Sequence, residues 1–280
     1  MATSSHLFRV LSKPIKVDIE TWENWIGSES MTGLIQTNSV TKVGIYQAFN
    51  EYPLATKTPN TVDQTKLHSG NVTHSDIEPP TEKCCLMMYQ TDDPEFLKEQ
   101  FLRNIGQSNG TLSGKEPISC AEWDSRVYKL VQDFDPKGAG YSESIALICV
   151  LIISSSLLKL FPPSWRGLEA PAPFILSVQM EPNDDDDYDK FYRDEHLYML
   201  SKVPGYRRSQ RYQLVSSDHL SLSSVPRFMA IHEFETLETT DGPELREADA
   251  SPNTHRVIGN AKFVNIRGFR LVKTLGHIKQ

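Results

Sequence analysis

The sequence predicts an α+β protein built from two units of βαββαβ order, the ferredoxin-like arrangement, and three observations carry that expectation. The first is an internal repeat. The run 18–47 lies without a gap on 184–213, placing Asp18 on Asp184, Trp22 on Tyr188, Trp25 on Phe191, Glu29 on Glu195, Leu34 on Leu200, Tyr46 on Tyr212 and Gln47 on Gln213. The second ties together the ends of the copies, where Arg126-Val127-Tyr128-Lys129-Leu130-Val131 echoes Arg267-Gly268-Phe269-Arg270-Leu271-Val272. The third is that strand-like and helix-like periodicities follow one another in the same order in both copies.

In the second copy, 174–180 reads as a strand, broken at Glu181-Pro182-Asn183. A helix follows. Asn183 and Asp184 offer N-cap oxygens, the acids 184–187 suit the positive end of a helix dipole, and Tyr188, Phe191, Tyr192 and Glu195 recur at three-to-four spacing. Pro204-Gly205 ends it. Strands over 206–215 and 227–234, a helix beginning over 243–249 and a last strand over 262–273 complete the unit. The first copy places strands at 7–12, 39–49, 83–89 and 123–131, with helices at 18–35 and 94–104. The organisation read from this is a first, degenerate unit over 1–135, a linker over 136–172 and a second unit over 173–280. The stretch 51–80, rich in Thr, Asn, Ser and Pro, is expected to be disordered, a lid being the alternative.

Composition bounds the function. With 280 residues, 39% hydrophobic and 23% charged, the chain is an ordinary globular protein with room for two domains. A net charge of −7 argues against a nucleic-acid partner, since phosphate binding needs a concentrated excess of Lys and Arg. The cysteines, Cys84, Cys85, Cys120 and Cys149, form no CxxC pair and read as reduced core residues. The first residues show no signal pattern, so a cytoplasmic location is expected, with the sequons at Asn71 and Asn109 silent. The charge-free run 145–158 falls short of the ~20 residues of a membrane-spanning helix. A buried helix or β-rich linker is the plain reading, a membrane anchor the sharper one, and translation of an unremoved intron near 145–169 a third.

Tyr188-Asp189-Lys190-Phe191-Tyr192-Arg193-Asp194-Glu195-His196, followed by Leu200-Ser201-Lys202-Val203-Pro204-Gly205-Tyr206-Arg207-Arg208-Ser209 and then Ile231-His232-Glu233-Phe234, resembles the signature of the EthD-like family of dimeric α+β barrels. The resemblance covers roughly the last 110 residues, and the first copy is tied to it only through the internal repeat. It implies that two ferredoxin-like units pair their sheets into one barrel. Both units lie in one chain here, so the expected product is a monomeric pseudo-dimer. Proteins of this type and of related barrels include oxygenases, decarboxylases, cyclases and isomerases, and the fold does not choose among them.

His196 is the leading catalytic candidate, because an imidazole near its ordinary pKa gives or takes a proton at neutral pH. The competing reading is that it packs locally. The first copy carries Ser30 at this position, so only one half would be active. Tyr206, Arg208 and Tyr212 alternate along one strand and are expected to form a pocket wall, with Tyr206 and Arg208 stabilising an oxyanion and Tyr212 contacting substrate. His232 is read either as a barrel-lining second proton carrier or as a packed strand histidine, and Tyr192 as a ring beside the substrate. Glu195, matched by Glu29, is expected to be structural. No metal site is expected, because acids 184–187 splay around one turn without His or Cys ligands.

Motifs for common cofactors are missing: the sequence has no GxGxxG after a strand, no phosphate loop, no HExxH and no GxSxG. The expectation is a cofactor-independent tailoring enzyme acting by proton transfer on a small hydrophobic, aromatic or polyketide-type metabolite. The alternative is a non-catalytic accessory protein that binds such a metabolite, and haem binding on a barrel histidine is a third reading.

Overall fold

A computed structural model describes residues 5–27, 34, 40–48, 85–107, 112, 114–136, 171–218, 225–236 and 242–275. The expectations for 51–80, for 145–169, for Ser30, Cys84 and Cys149 and for both sequons lie outside these residues. Cys85 and Cys120 are buried and form no disulfide. Among the described residues no helix is long and apolar enough to cross a membrane.

The first half contributes β1 (His6–Pro14), α1 (Ile19–Trp25), β2 (Val40–Ala48), β3 (Cys85–Thr91), α2 (Pro94–Gln107) and β4 (Ala121–Phe134). The second contributes β5 (Phe174–Glu181), α3 (Asp185–Phe191), a π-helical turn (Tyr192–His196), α4 (Leu197–Leu200), β6 (Tyr206–Ser217), β7 (Phe228–Phe234), α5 (Pro243–Asp249), α6 (Pro252–Asn260) and β8 (Phe263–Leu275). Side-chain caps start the helices where the sequence offers them. Asp18 accepts the Thr21 amide at 2.7 Å and Asp184 the Asp187 amide at 3.0 Å. Gly205, at φ +75°, turns the chain from α4 into β6.

All the strands close into one antiparallel barrel in the ring order β1-β3-β2-β8-β5-β7-β6-β4. Within each half the order around the ring is fourth, first, third, second strand. The halves join at two seams, β2 with β8 and β4 with β6. The seams share one irregularity: Tyr46 faces Leu271 and Ile45 faces Lys273, so Val272 is bulged out, while Tyr212 faces Leu130 and Arg211 faces Gln132, so Val131 is bulged out. Both valines are exposed. A bulge adds a residue to one strand and bends it, which helps a sheet curl closed.

Closure gives every strand a helix-covered face and a lumen face, and the alternation of side chains sorts residues between them. One apolar cluster sits under α1 and α2, with Trp22, Trp25, Phe8, Phe101 and Trp123 at its centre. A second sits under α3 to α6. A third fills the lumen with Leu7, Leu11, Tyr46, Tyr128, Tyr212, Ile231 and Phe269. Two departures from the expected elements matter for the site. The helix expected to run on from Asp184 is interrupted by the π-helical turn, and the last helical region is two helices rather than one. At the corresponding place in the first half, Ile26 and Gly27 are also π-helical.

Candidate functional site

The helix-covered face of β6 and β7 carries an unusual set of buried polar groups. His196, last residue of the π-helical turn, is 7% exposed, and His232 on β7 is 3% exposed. Their ring centroids are 6.2 Å apart. Phe191 stacks on His196 at 4.7 Å, and Tyr192 packs against both imidazoles, at 5.3 and 6.4 Å. A π-turn inserts one extra residue into a helix and so re-aims the side chains after it, and such turns gather at functional sites. Here it points His196 down onto the sheet while Glu195 reaches sideways to accept a hydrogen bond from Asn253 on α6. The expectation that Glu195 is structural agrees with this bond.

Each histidine is held by a chain of hydroxyls. His232 Nδ1 lies 2.7 Å from Ser209 Oγ, which accepts the Tyr206 hydroxyl at 2.8 Å. His196 Nδ1 lies 3.5 Å from Thr254 Oγ1 on α6. Beside them Arg211 is buried at 1% exposure under a cover of rings, its guanidinium 4.9 Å from the Tyr188 centroid and 4.6 Å from that of Tyr192. It donates to Asp189 at 2.9 Å and to Gln132 at 2.6 Å. A planar cation over aromatic faces is attracted by the ring quadrupoles, which offsets part of the cost of taking it out of water.

Burial controls protonation. Removal from water disfavours the imidazolium and pushes His196 down to about 4, against a smaller opposing pull from Glu195. The same desolvation, reinforced by His196 and Arg211, pushes His232 down to about 3. Both rings are therefore neutral at pH 7. This corrects the expectation of a His196 near its ordinary value.

The same place in the first half shows what the fold requires there. Val43 faces Tyr89 across β2 and β3 as Ser209 faces His232 across β6 and β7. Following the ring, Ile26, Val43, Ile45 and Tyr89 occupy the positions of Tyr192, Ser209, Arg211 and His232, and all four are buried in an apolar cluster. A barrel of this kind thus packs a helix on its sheet with ordinary hydrophobic residues. The polar set in the second half costs desolvation that Val43 and Ile45 do not incur in the first.

The expected pocket wall of Tyr206, Arg208 and Tyr212 is divided by the sheet. Tyr206 faces Phe234 and Ser209 faces His232, with two residues between them on β6 against one on β7, so a bulge at Arg207 and Arg208 shifts the alternation by one. Tyr206 and Ser209 consequently share the helix-covered face, with Arg211. Arg208, Gln210 and Tyr212 point into the lumen, where they line a cavity of about 30 Å³ with Tyr46, Ile231 and Glu233. That space suits one or two waters, and no aromatic substrate. Arg208 pairs there with Glu233 at 3.0 Å. Four of the expected residues, His196, Tyr206, His232 and Tyr192, are brought together; Arg208 and Tyr212 are not. His232 packs toward the helices and does not line the barrel lumen.

Ser209, Arg211 and Thr254 belong to the cluster and were not singled out from sequence. For the strand pair the alignment of 18–47 on 184–213 held the signal, because it sets Ser209 and Arg211 on Val43 and Ile45. Nothing local marked Thr254. Among the described residues no group of His, Cys, Asp and Glu is arranged to hold a metal ion. Tyr192 packs against both imidazoles, so a haem on either ring, like any large ligand, would have to displace it.

No protein-family model and no curated protein matches the sequence. Solved structures do resemble the fold. An anthrone oxidase-like protein aligns over 100% of this chain and 98% of its own at 9% identity, with a TM-score of 0.51. A point mutant of chlorite dismutase from Candidatus Nitrospira defluvii aligns over 98% and 93% at 11% identity, with a TM-score of 0.48. A protein from Fusobacterium nucleatum named as a monooxygenase aligns over 97% and 94% at 7% identity, with a TM-score of 0.46. At these identities the likeness is one of fold.

Proposed function

We propose that the chain is an enzyme that abstracts a proton from a small hydrophobic, aromatic or polyketide-type ketone, without a bound cofactor, with His196 as the base. One observation carries the reading: where the first half buries Val43, Ile45 and Tyr89 between helix and sheet, the second buries Ser209, Arg211 and the imidazole of His232, with a second neutral imidazole, His196, beside them. A neutral imidazole has its lone pair free, and the substrate oxyanion that forms beside it supplies the counter-charge that raises its basicity from the depressed value of about 4. Arg211 and the outer nitrogen of His232 are the groups placed to meet that oxyanion. The rings of Tyr188, Phe191 and Tyr192 offer flat apolar contact. They pack on one another here, so substrate entry requires the α3–α4 segment to lift at its π-turn.

An anthrone, the compound class in the name of one structural neighbour, illustrates a substrate of this type. Its methylene, activated by two aryl rings and a carbonyl, loses a proton to give an aryloxide; reaction with dioxygen then converts the methylene to a carbonyl and releases water. We also read the two halves as copies of one ferredoxin-like unit and the chain as a monomeric pseudo-dimer, a reading supported by the matched seams.

The test compares small-molecule extracts of source cells lacking the gene, complemented with the wild type or with His196→Ala. The expected result is a precursor cleared by the wild type alone, with turnover by the variant at least about 100-fold lower, the smaller end of what a positioned general base supplies. Equal clearance by both would reassign His196 to packing and favour a binding role.

A further inference from the structure

The two buried histidines are ringed by hydroxyls whose own partners decide which way each proton points. Thr254 Oγ1 has a single proton, and it lies 2.7 Å from the Ala248 carbonyl, which only accepts. Ser251 Oγ donates to the same Thr254 oxygen at 3.0 Å. With its proton committed, Thr254 Oγ1 offers His196 only a lone pair, so at this contact the proton belongs to Nδ1 of His196. Neutral His196 then carries its lone pair on Nε2.

The chain at His232 runs the other way. The Tyr206 hydroxyl is 2.8 Å from Ser209 Oγ and 3.4 Å from the Phe134 carbonyl. A phenol is the strongest donor of the three groups and an imidazole nitrogen the strongest acceptor, so the bonds run from Tyr206 to Ser209 and from Ser209 to His232 Nδ1. Neutral His232 then carries its proton on Nε2.

Resting on the catalytic reading above, we infer that Ser209 with Tyr206, and Thr254 with Ala248, are positioning groups that lock the two neighbouring neutral imidazoles in opposite tautomers, His196 with a basic Nε2 and His232 with an Nε2–H donor. The pair divides the labour of enolisation. His196 takes the proton from carbon, and His232 donates a hydrogen bond to the oxygen on which charge collects. Neither ring needs to be charged beforehand, which suits a site this dry. The first half has Val43 and Tyr89 at the positions of Ser209 and His232, and so lacks the serine–imidazole contact.

The tautomers are read in the free protein, without substrate, by long-range proton–nitrogen NMR of the full chain labelled with 15N in its histidine rings. His196→Gln and His232→Gln assign the two signal sets. The expected spectrum at pH 7 shows His196 protonated at Nδ1 and His232 at Nε2. The same nitrogen protonated on both rings, or rapid averaging between tautomers at either, overturns the inference. Ser209→Ala is expected to abolish the fixed tautomer of His232, Ser209→Thr to keep it, and Thr254→Val to release His196 alone. A tautomer of His232 indifferent to Ser209→Ala also overturns it, because a serine needed only for packing leaves the ring nitrogens unaffected. Full turnover by His196→Ala removes the catalytic reading without touching these spectra. A shared tautomer removes this inference without touching that one.

Discussion

The neutrality of His196 and His232 has a measurable cost on acidification. Unfolded, both imidazoles regain the ordinary value near 6.5; folded, they titrate at about 4 and about 3. A depressed folded value means that the unfolded state binds protons first as the pH falls. The stability these groups permit is complete above pH 6.5 and is lost progressively between 6.5 and the folded values. At pH 5 each ring has descended 1.5 units below the unfolded value while still neutral in the folded chain, a loss of about 2 kcal/mol apiece, or about 4 kcal/mol together. That is a large share of the 5–15 kcal/mol typical of a domain. Asp249 acts oppositely: burial raises it to about 6, so it adds stability as the pH falls from there toward the ordinary carboxylate value. The comparison that isolates the histidines is therefore wild type against His196→Gln with His232→Tyr, the second change restoring the residue type found at Tyr89. Urea unfolding at pH 7.5 and at pH 5 should show the wild type losing about 4 kcal/mol more than the variant. Parallel losses in the two proteins would refute the burial and proximity of the imidazoles on which the site rests.

Other perturbations report on separate parts of the molecule. Ser209→Val with Arg211→Ile imports the first half's residues into the second; it removes the hydroxyl partner of buried His232 Nδ1 and of Tyr206, so the thermal midpoint should fall, and turnover should disappear. A methyl group on Gly44 would lie 2.5 Å from Cε2 of Tyr46, inside the lumen, so Gly44→Ala should cost about 1–3 kcal/mol in denaturant unfolding with no change at His196. Asp184→Ala removes the cap on α3 and should lower stability by about 1 kcal/mol, visible as a lower urea midpoint with an unchanged slope.

Much of this architecture is written along the chain. Strand alternation, the acidic caps at Asp18 and Asp184 and the repeated Arg126 and Arg267 segments give the element order of both halves, because these signals are local and need only a few neighbouring residues. His196 could be singled out from its place in the helix after Glu195, and His232 from its place on a strand, the second as either a proton carrier or a packed histidine. Their protonation could not be read, because it depends on which groups exclude water from the rings, and Phe191, Thr254 and Arg211 reach them from three separate elements. The separation of Tyr206 from Arg208 was equally hidden. Alternation assigns faces only while the register is regular, and the bulge at Arg207 and Arg208 arises from pairing with β7, a partner distant in sequence. Sequence by itself determined which segments become strands and helices and where the titratable side chains fall along them; the closed barrel decided which of them share a dry compartment, because side-chain orientation and desolvation are properties of paired strands and covered faces, not of any single segment.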